Sequence, residues 1–97
     1  MNQVICNAIS ARSVIEFTYE GGHRVVEPHA HGISTAENEV LRGYQVSGFS
    51  SSGTPPFWRL FVVAKIHNLT VTDKTFTGSR PGYTPNDSAM AVVHCHV

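Results

Sequence analysis

The sequence predicts a mainly β domain with one short N-terminal helix, its five to six strands bent into a small sheet or barrel. Three observations carry that prediction. Apolar residues at helical spacing occur at the start of the chain. Beyond it they alternate with polar residues or cluster in short β-branched and aromatic runs. Glycine, proline, asparagine and serine punctuate those runs at short intervals. The 97 residues fit a single domain, 1–97. A chain of this size buries only about two-thirds of its unfolded surface, so short strands must curl or close to hide their edges.

The elements follow in order. In "NQVICNAISAR", Val4, Ile5, Ala8 and Ile9 make one apolar helical stripe, and Arg12 falls in the last turn, where a cation complements the helix dipole. "SVIEFTYE" alternates, with Ile15, Phe17 and Tyr19 facing one way. Gly21-Gly22 is a two-residue hairpin signal, and "HRVVEP" is the return strand, with Pro28 at its edge or its end. "GISTAEN" is a polar connection in which Ser34 and Glu37 have the spacing of a capping box. "EVLRGYQVSGF" is the next strand and "SSSGTPP" a loop. "FWRLFVVAKI" is the longest β-rich run, and "NLTVTDKTF" is a short strand or turn. "TGSRPGYTPND" is a loop, and "AMAVVHCHV" closes the chain as a strand.

Composition narrows the function. Seven basic residues balance seven acidic ones, so tight non-specific binding to nucleic acid would require basic residues to cluster on one face. Zero net charge also weakens colloidal repulsion and favours self-association. No apolar run approaches the roughly 20 residues that span a bilayer. Cys6 and Cys95 form no CxxC pair, and no leader-like segment opens the chain. The expectation is a cytoplasmic protein, off the membrane, with reduced thiols. Phosphate loops, nucleophile elbows and HExxH motifs are missing, which argues against an enzyme.

Two strands carry an arginine among apolar neighbours. Val40, Arg42, Tyr44 and Val46 share a face by the two-residue period, as do Phe57, Arg59, Phe61 and Val63. A buried unpaired guanidinium is costly, so each needs a partner. That partner is either a carboxylate such as Glu27 or Glu39, or a ligand held in a concave basic pocket, with Tyr44 supplying a stacking face or a hydroxyl. "SRPGY" offers a second rim, where Arg80 and Tyr83 either stack on a base or pack as an ordinary turn.

"AISARSVIEFTYEGGHRVVEP", "NEVLRGYQV" and "RLFVVAKIHNL" together resemble the WYL domain over roughly residues 5–71. Phe17, Tyr19, Gly22, Arg24, Val26, Glu27 and Pro28 carry the most specific part, the hairpin. Of the name-giving tripeptide, Glu39-Val40-Leu41 keeps only the leucine. Val62 stands where the family has an arginine, and Lys65-Ile66 keeps the closing basic-isoleucine pair. The resemblance implies an SH3-like or Sm-like β-barrel. It also implies a sensor of nucleotides, nucleic-acid fragments or other anionic ligands, of the kind found in bacterial phage-defence and transcription regulators. Carried over, it makes Arg24, Arg42 and Arg59 pocket residues. The family's usual helix-turn-helix is not in this sequence, so the expectation is a stand-alone module or the partner of another protein. The alternative is a protein-interaction or homodimerisation module.

Two His-x-His pairs, His29/His31 and His94/His96, have one further possible use. If extended, each pair points its rings one way, and four imidazoles suit a tetrahedral zinc site if the segments pair. His-x-His is a weak metal signal beside cysteine-rich spacings, so the expectation is neither metal nor cofactor. His29, just after the "VEP" of the hairpin, is then a ligand-binding residue at the pocket rim. Cys6 is expected in the helix core and Cys95 in the barrel core.

Overall fold

In the computed structural model, residues 2–50 and 53–97 are described. A helix, α1 (Asn2–Ala11), precedes six strands: β1 (Ser13–Tyr19), β2 (Gly22–Ser34), β3 (Glu39–Gly48), β4 (Phe57–Val62), β5 (Ile66–Thr75) and β6 (Met90–His96). They form one antiparallel sheet in the order β4-β3-β2-β1-β5, with β6 added beside the second half of β2. The fold is thus mainly β with one short N-terminal helix, as expected. The sheet is curved but not closed, since β4 and β5 are not paired with each other. The N–H of Val62, the last residue of β4, donates to the Tyr19 hydroxyl of β1 at 3.0 Å. No helix among the described residues is long and apolar enough to cross a membrane.

Several elements depart from expectation. The hairpin turn is Glu20-Gly21, because Tyr19 pairs with Gly22. Both turn residues have positive φ, 51° and 77°, as a two-residue turn between twisted strands demands. Pro28 does not end its strand; β2 runs on to Ser34. Pro28 is accommodated at a bulge, where the β2–β3 register jumps from Pro28↔Gly43 to Ala30↔Arg42 and leaves His29 as the extra residue. "FWRLFVVAKI" is not one strand: a 3-10 turn, Val63–Lys65, separates β4 from β5. Arg12 lies one residue past the helix with φ 53°. Ser34 Oγ accepts from the Asn38 N–H at 3.2 Å and closes the short turn after β2. Of the "SSSGTPP" loop, Ser51 and Ser52 lie outside the described residues.

The sheet carries a core cluster on each face, while β5 and β6 are largely exposed. On one face, Ile5, Ala8 and Ile9 of α1 pack on Ile15, Phe17, Tyr19, Val26, Leu41, Phe61, Val63 and Ile66. On the other, a smaller cluster of Ala30, Val40 and Met90 is covered by Leu60 and Tyr83. The cover is the loop over residues 76–89, and the arginines and histidines divide between these two faces.

Candidate functional site

Alternation along paired strands sets the division. Arg42 pairs with Leu60, and Gly43 pairs with Arg59, so Arg42 and Arg59 point to opposite faces. One arginine pocket built from Arg24, Arg42 and Arg59 therefore does not form.

Arg24 and Arg59 belong together. Arg24 has no exposed surface. Its Nη2 donates to the Tyr19 carbonyl at 3.0 Å and its Nη1 to Gln45 Oε1 at 3.3 Å. The guanidinium lies 5.4 Å from the Tyr19 ring centre and 5.2 Å from that of Phe49. Arg59 donates to Glu20 Oε1 at 3.1 Å, and the same oxygen lies 3.8 Å from Arg24 Nη2. Burial, and then the neighbouring Arg59, lower the Arg24 pKa. The Arg24 Nε has no hydrogen-bond partner among the described residues. Arg24 is a core cation held by rings and carbonyls, and it offers a ligand no surface.

The opposite face holds the candidate site. His29 is fully buried. Its Nε2 accepts the Arg80 backbone N–H at 3.2 Å, which places the ring proton on Nδ1, donated to the Glu27 carbonyl at 2.8 Å. The imidazole stacks on Phe76 at 5.2 Å and meets the edge of Trp58 at 4.7 Å. Burial lowers its pKa, which favours the neutral ring. His29 is therefore a buried positioning residue and not the rim expected for it.

Around it the 76–89 loop is clamped to the sheet. Arg80 grips the buried Glu27 carboxylate with two bonds, 2.7 and 2.8 Å, and lies 5.2 Å from the Tyr44 ring. The Glu27 hydrogen bond raises the Arg80 pKa. Trp58 Nε1 donates to the Pro81 carbonyl at 3.1 Å. Gly82, at φ 91°, lets the turn approach Trp58; a Cβ there would lie 2.9 Å from the indole nitrogen. Arg42 closes the far end by donating from Nε and Nη2 to Asp87, at 2.7 and 3.2 Å. That bonding holds the Asp87 carboxyl below its usual range.

Between these clamps lies an open cavity of about 180 Å³, lined by Arg42, Trp58, Gly82, Tyr83, Thr84 and Asp87. The Trp58 and Tyr83 rings are 6.0 Å apart, and Tyr44 meets Trp58 at 5.2 Å. Of the expected site residues, the structure brings Arg42 and Tyr44 to this neighbourhood, with Arg80 and Tyr83 of the second rim. Trp58 and Asp87 were missed. The signal for Trp58 was its alternation with Leu60, opposite the face on which Arg59 stood out.

The four-histidine site does not form either. The bulge at His29 turns His29 and His31 to opposite faces, and His31 meets Cys6 of α1. His96 is exposed and bonds to the Val97 carbonyl. The two cysteines are not separate core thiols: Cys6 and Cys95 are joined in a disulfide, with Cα atoms 5.7 Å apart. No protein-family model, curated protein or solved structure matches the chain.

Proposed function

We propose that the chain is a WYL-like, non-enzymatic sensor module that takes a nucleotide, a nucleic-acid fragment or a related anionic ligand at the Arg42–Trp58–Tyr83 cavity. The observation that carries this reading is the composition of that cavity: two aromatic rings, a guanidinium edge and the Thr84 hydroxyl around one opening. Rings take up a planar base by stacking. Asp87 occupies the Nε and Nη2 edge of Arg42, and Nη1 remains to donate to a phosphate or carboxylate oxygen. The volume of about 180 Å³ is below the roughly 300 Å³ at which drug-sized pockets begin, so the site suits one ring system with the rest of the ligand in solvent. A cytoplasmic location fits such a ligand.

Trp58 is the only tryptophan of the chain, so its fluorescence reports on the site. Nucleoside monophosphates and short oligonucleotides are expected to quench it saturably, and Arg42→Gln to weaken that binding at least about tenfold, roughly 1.4 kcal/mol. Arg42→Lys keeps the charge and loses the fork, which separates a lost hydrogen bond from a lost cation. Quenching that never saturates, or that Arg42→Gln leaves unchanged, sinks the reading. A homodimer or partner protein is the second reading. It is favoured by β6, which among the described residues pairs with β2 alone and exposes Val92 and Val93.

A further inference from the structure

Where α1 crosses β2 and β6, on the sheet face away from the ligand cavity, three metal-ligating side chains converge. The sulfurs of Cys6 and Cys95 and a ring nitrogen of His31 all lie within 4.8 Å of one another. Cys6 Sγ is 3.8 Å from His31 Nδ1. A tetrahedral zinc ion, with Zn–S of about 2.3 Å and Zn–N of about 2.05 Å, needs S···N of about 3.6 Å and S···S of about 3.8 Å. The Cys6–His31 distance already meets that need within a few tenths of an ångström. Once their bond is opened the sulfurs must part, with Cys95 held within 4.8 Å of the His31 nitrogen at the start.

His31 is oriented as a ligand would be. It is 1% exposed, and its Nε2 donates to Glu39 Oε2 at 2.6 Å. A carboxylate on one nitrogen fixes the tautomer and turns the other lone pair toward a metal. Here that lone pair, on Nδ1, faces Cys6. A disulfide sulfur carries no proton, so it has nothing to donate to this buried acceptor.

His94 lies beside this group of three without belonging to it. The β2–β6 register jumps from His31↔Cys95 to Gly32↔Val93, which leaves His94 as the extra residue of a bulge. The bulge brings its ring 5.4 Å from that of His31. Together with Gln3, Cys6 and His31 it lines a cavity of about 200 Å³.

We propose that Cys6, Cys95 and His31, with His94 in the fourth position, form a zinc site that exists only when the Cys6–Cys95 bond is reduced. A dithiol opens that bond by two exchanges: it leaves as a disulfide, and each cysteine sulfur gains a proton. Zn²⁺ then displaces both thiol protons to solvent and binds two thiolates and two neutral imidazoles. Oxidation and metal binding compete for the same pair of sulfurs. This site is independent of the ligand cavity proposed above.

The test uses the untagged chain in two forms, oxidised, and reduced with dithiothreitol and desalted without air. After exposure to zinc and dialysis, elemental analysis is expected to find one zinc per reduced chain and none per oxidised chain. Cobalt in place of zinc gives a thiolate-to-metal charge-transfer band and tetrahedral ligand-field absorption. His31→Ala, whose fold is checked in the oxidised form, abolishes both signals. Glu39→Gln weakens zinc binding on the order of 10–100-fold. A reduced chain that holds no more zinc than the oxidised one overturns the proposal, as does equal zinc in a Cys6→Ser, Cys95→Ser double variant. If the reduced chain is unfolded, zinc must restore its circular dichroism; failure to do so is equally fatal. An unchanged cobalt spectrum in His94→Ala removes His94 from the ligand set.

Discussion

His29 shows how one buried side chain couples the fold to pH. Both of its ring nitrogens are occupied by backbone groups, and burial depresses its pKa. The unfolded imidazole takes up a proton near its ordinary value of about 6.5, while the folded one resists until lower pH. The unfolded state therefore binds more protons in that window, and the His29 contribution to stability, complete above about pH 6.5, is lost as the pH falls toward the folded value. Urea midpoints measured from about pH 7.5 to 5.5 are expected to fall, and His29→Gln to flatten that slope. Little of this was legible beforehand. The position just after Pro28 drew attention to His29, but the two-residue period placed its ring beside that of His31. One extra residue in the ladder reverses that, and no local residue pattern announces a bulge. The arginines behaved alike. Arg42 was legible as needing a partner, whereas Asp87 lies 45 positions away in a loop that only the tertiary fold returns to the sheet.

Among the elements, β2 organises the molecule. It pairs with β1 along its first half, with β6 along its second, and with β3 throughout. Two of its register irregularities, at His29 against β3 and opposite His94 on β6, each re-aim a histidine. Gly32 sits beside the second one, and a Cβ there would overlap the Val92 carbonyl oxygen. Gly32→Ala is expected to push β6 off its neighbour and cost about 1–3 kcal/mol in denaturant unfolding, with the loss concentrated in β6 by hydrogen exchange. Strand β1 was legible to within its last residue because Ile15, Phe17 and Tyr19 alternate with half-buried polar residues and face the core. The division of "FWRLFVVAKI" was not legible. Phe57 to Val63 favour a strand without interruption, and the 3-10 turn at Val63–Lys65 carries the chain from β4, at one edge of the sheet, to β5, at the other.

At the scale of the whole molecule, the disulfide outweighs any single contact. It links positions 89 residues apart, and Cys6 on the helix meets Cys95 only because β6 lies beside β2 beneath that helix. Two cysteines with no short spacing give no sequence signal for such a pairing, which is why separate reduced thiols were expected. Closing so long a loop restricts the unfolded chain, and its removal typically costs about 2–4 kcal/mol. Reduction without zinc is therefore expected to lower the urea-unfolding free energy by about that amount. The class of fold was legible from the period of its strands, but the openness of the sheet was not, because pairing between β4 and β5 depends on curvature rather than on pattern.

The same link joins residues 6 and 95, so in the oxidised form the segment between them is a covalent ring. A single cut in a ring releases nothing. Cleavage at the exposed Gly53, between β3 and β4, would yield one molecule of unchanged mass apart from added water, and two fragments after reduction. While the disulfide is intact, new ends at that loop would stay tethered through Cys6 and Cys95 and leave the strand pairings among the described residues in place.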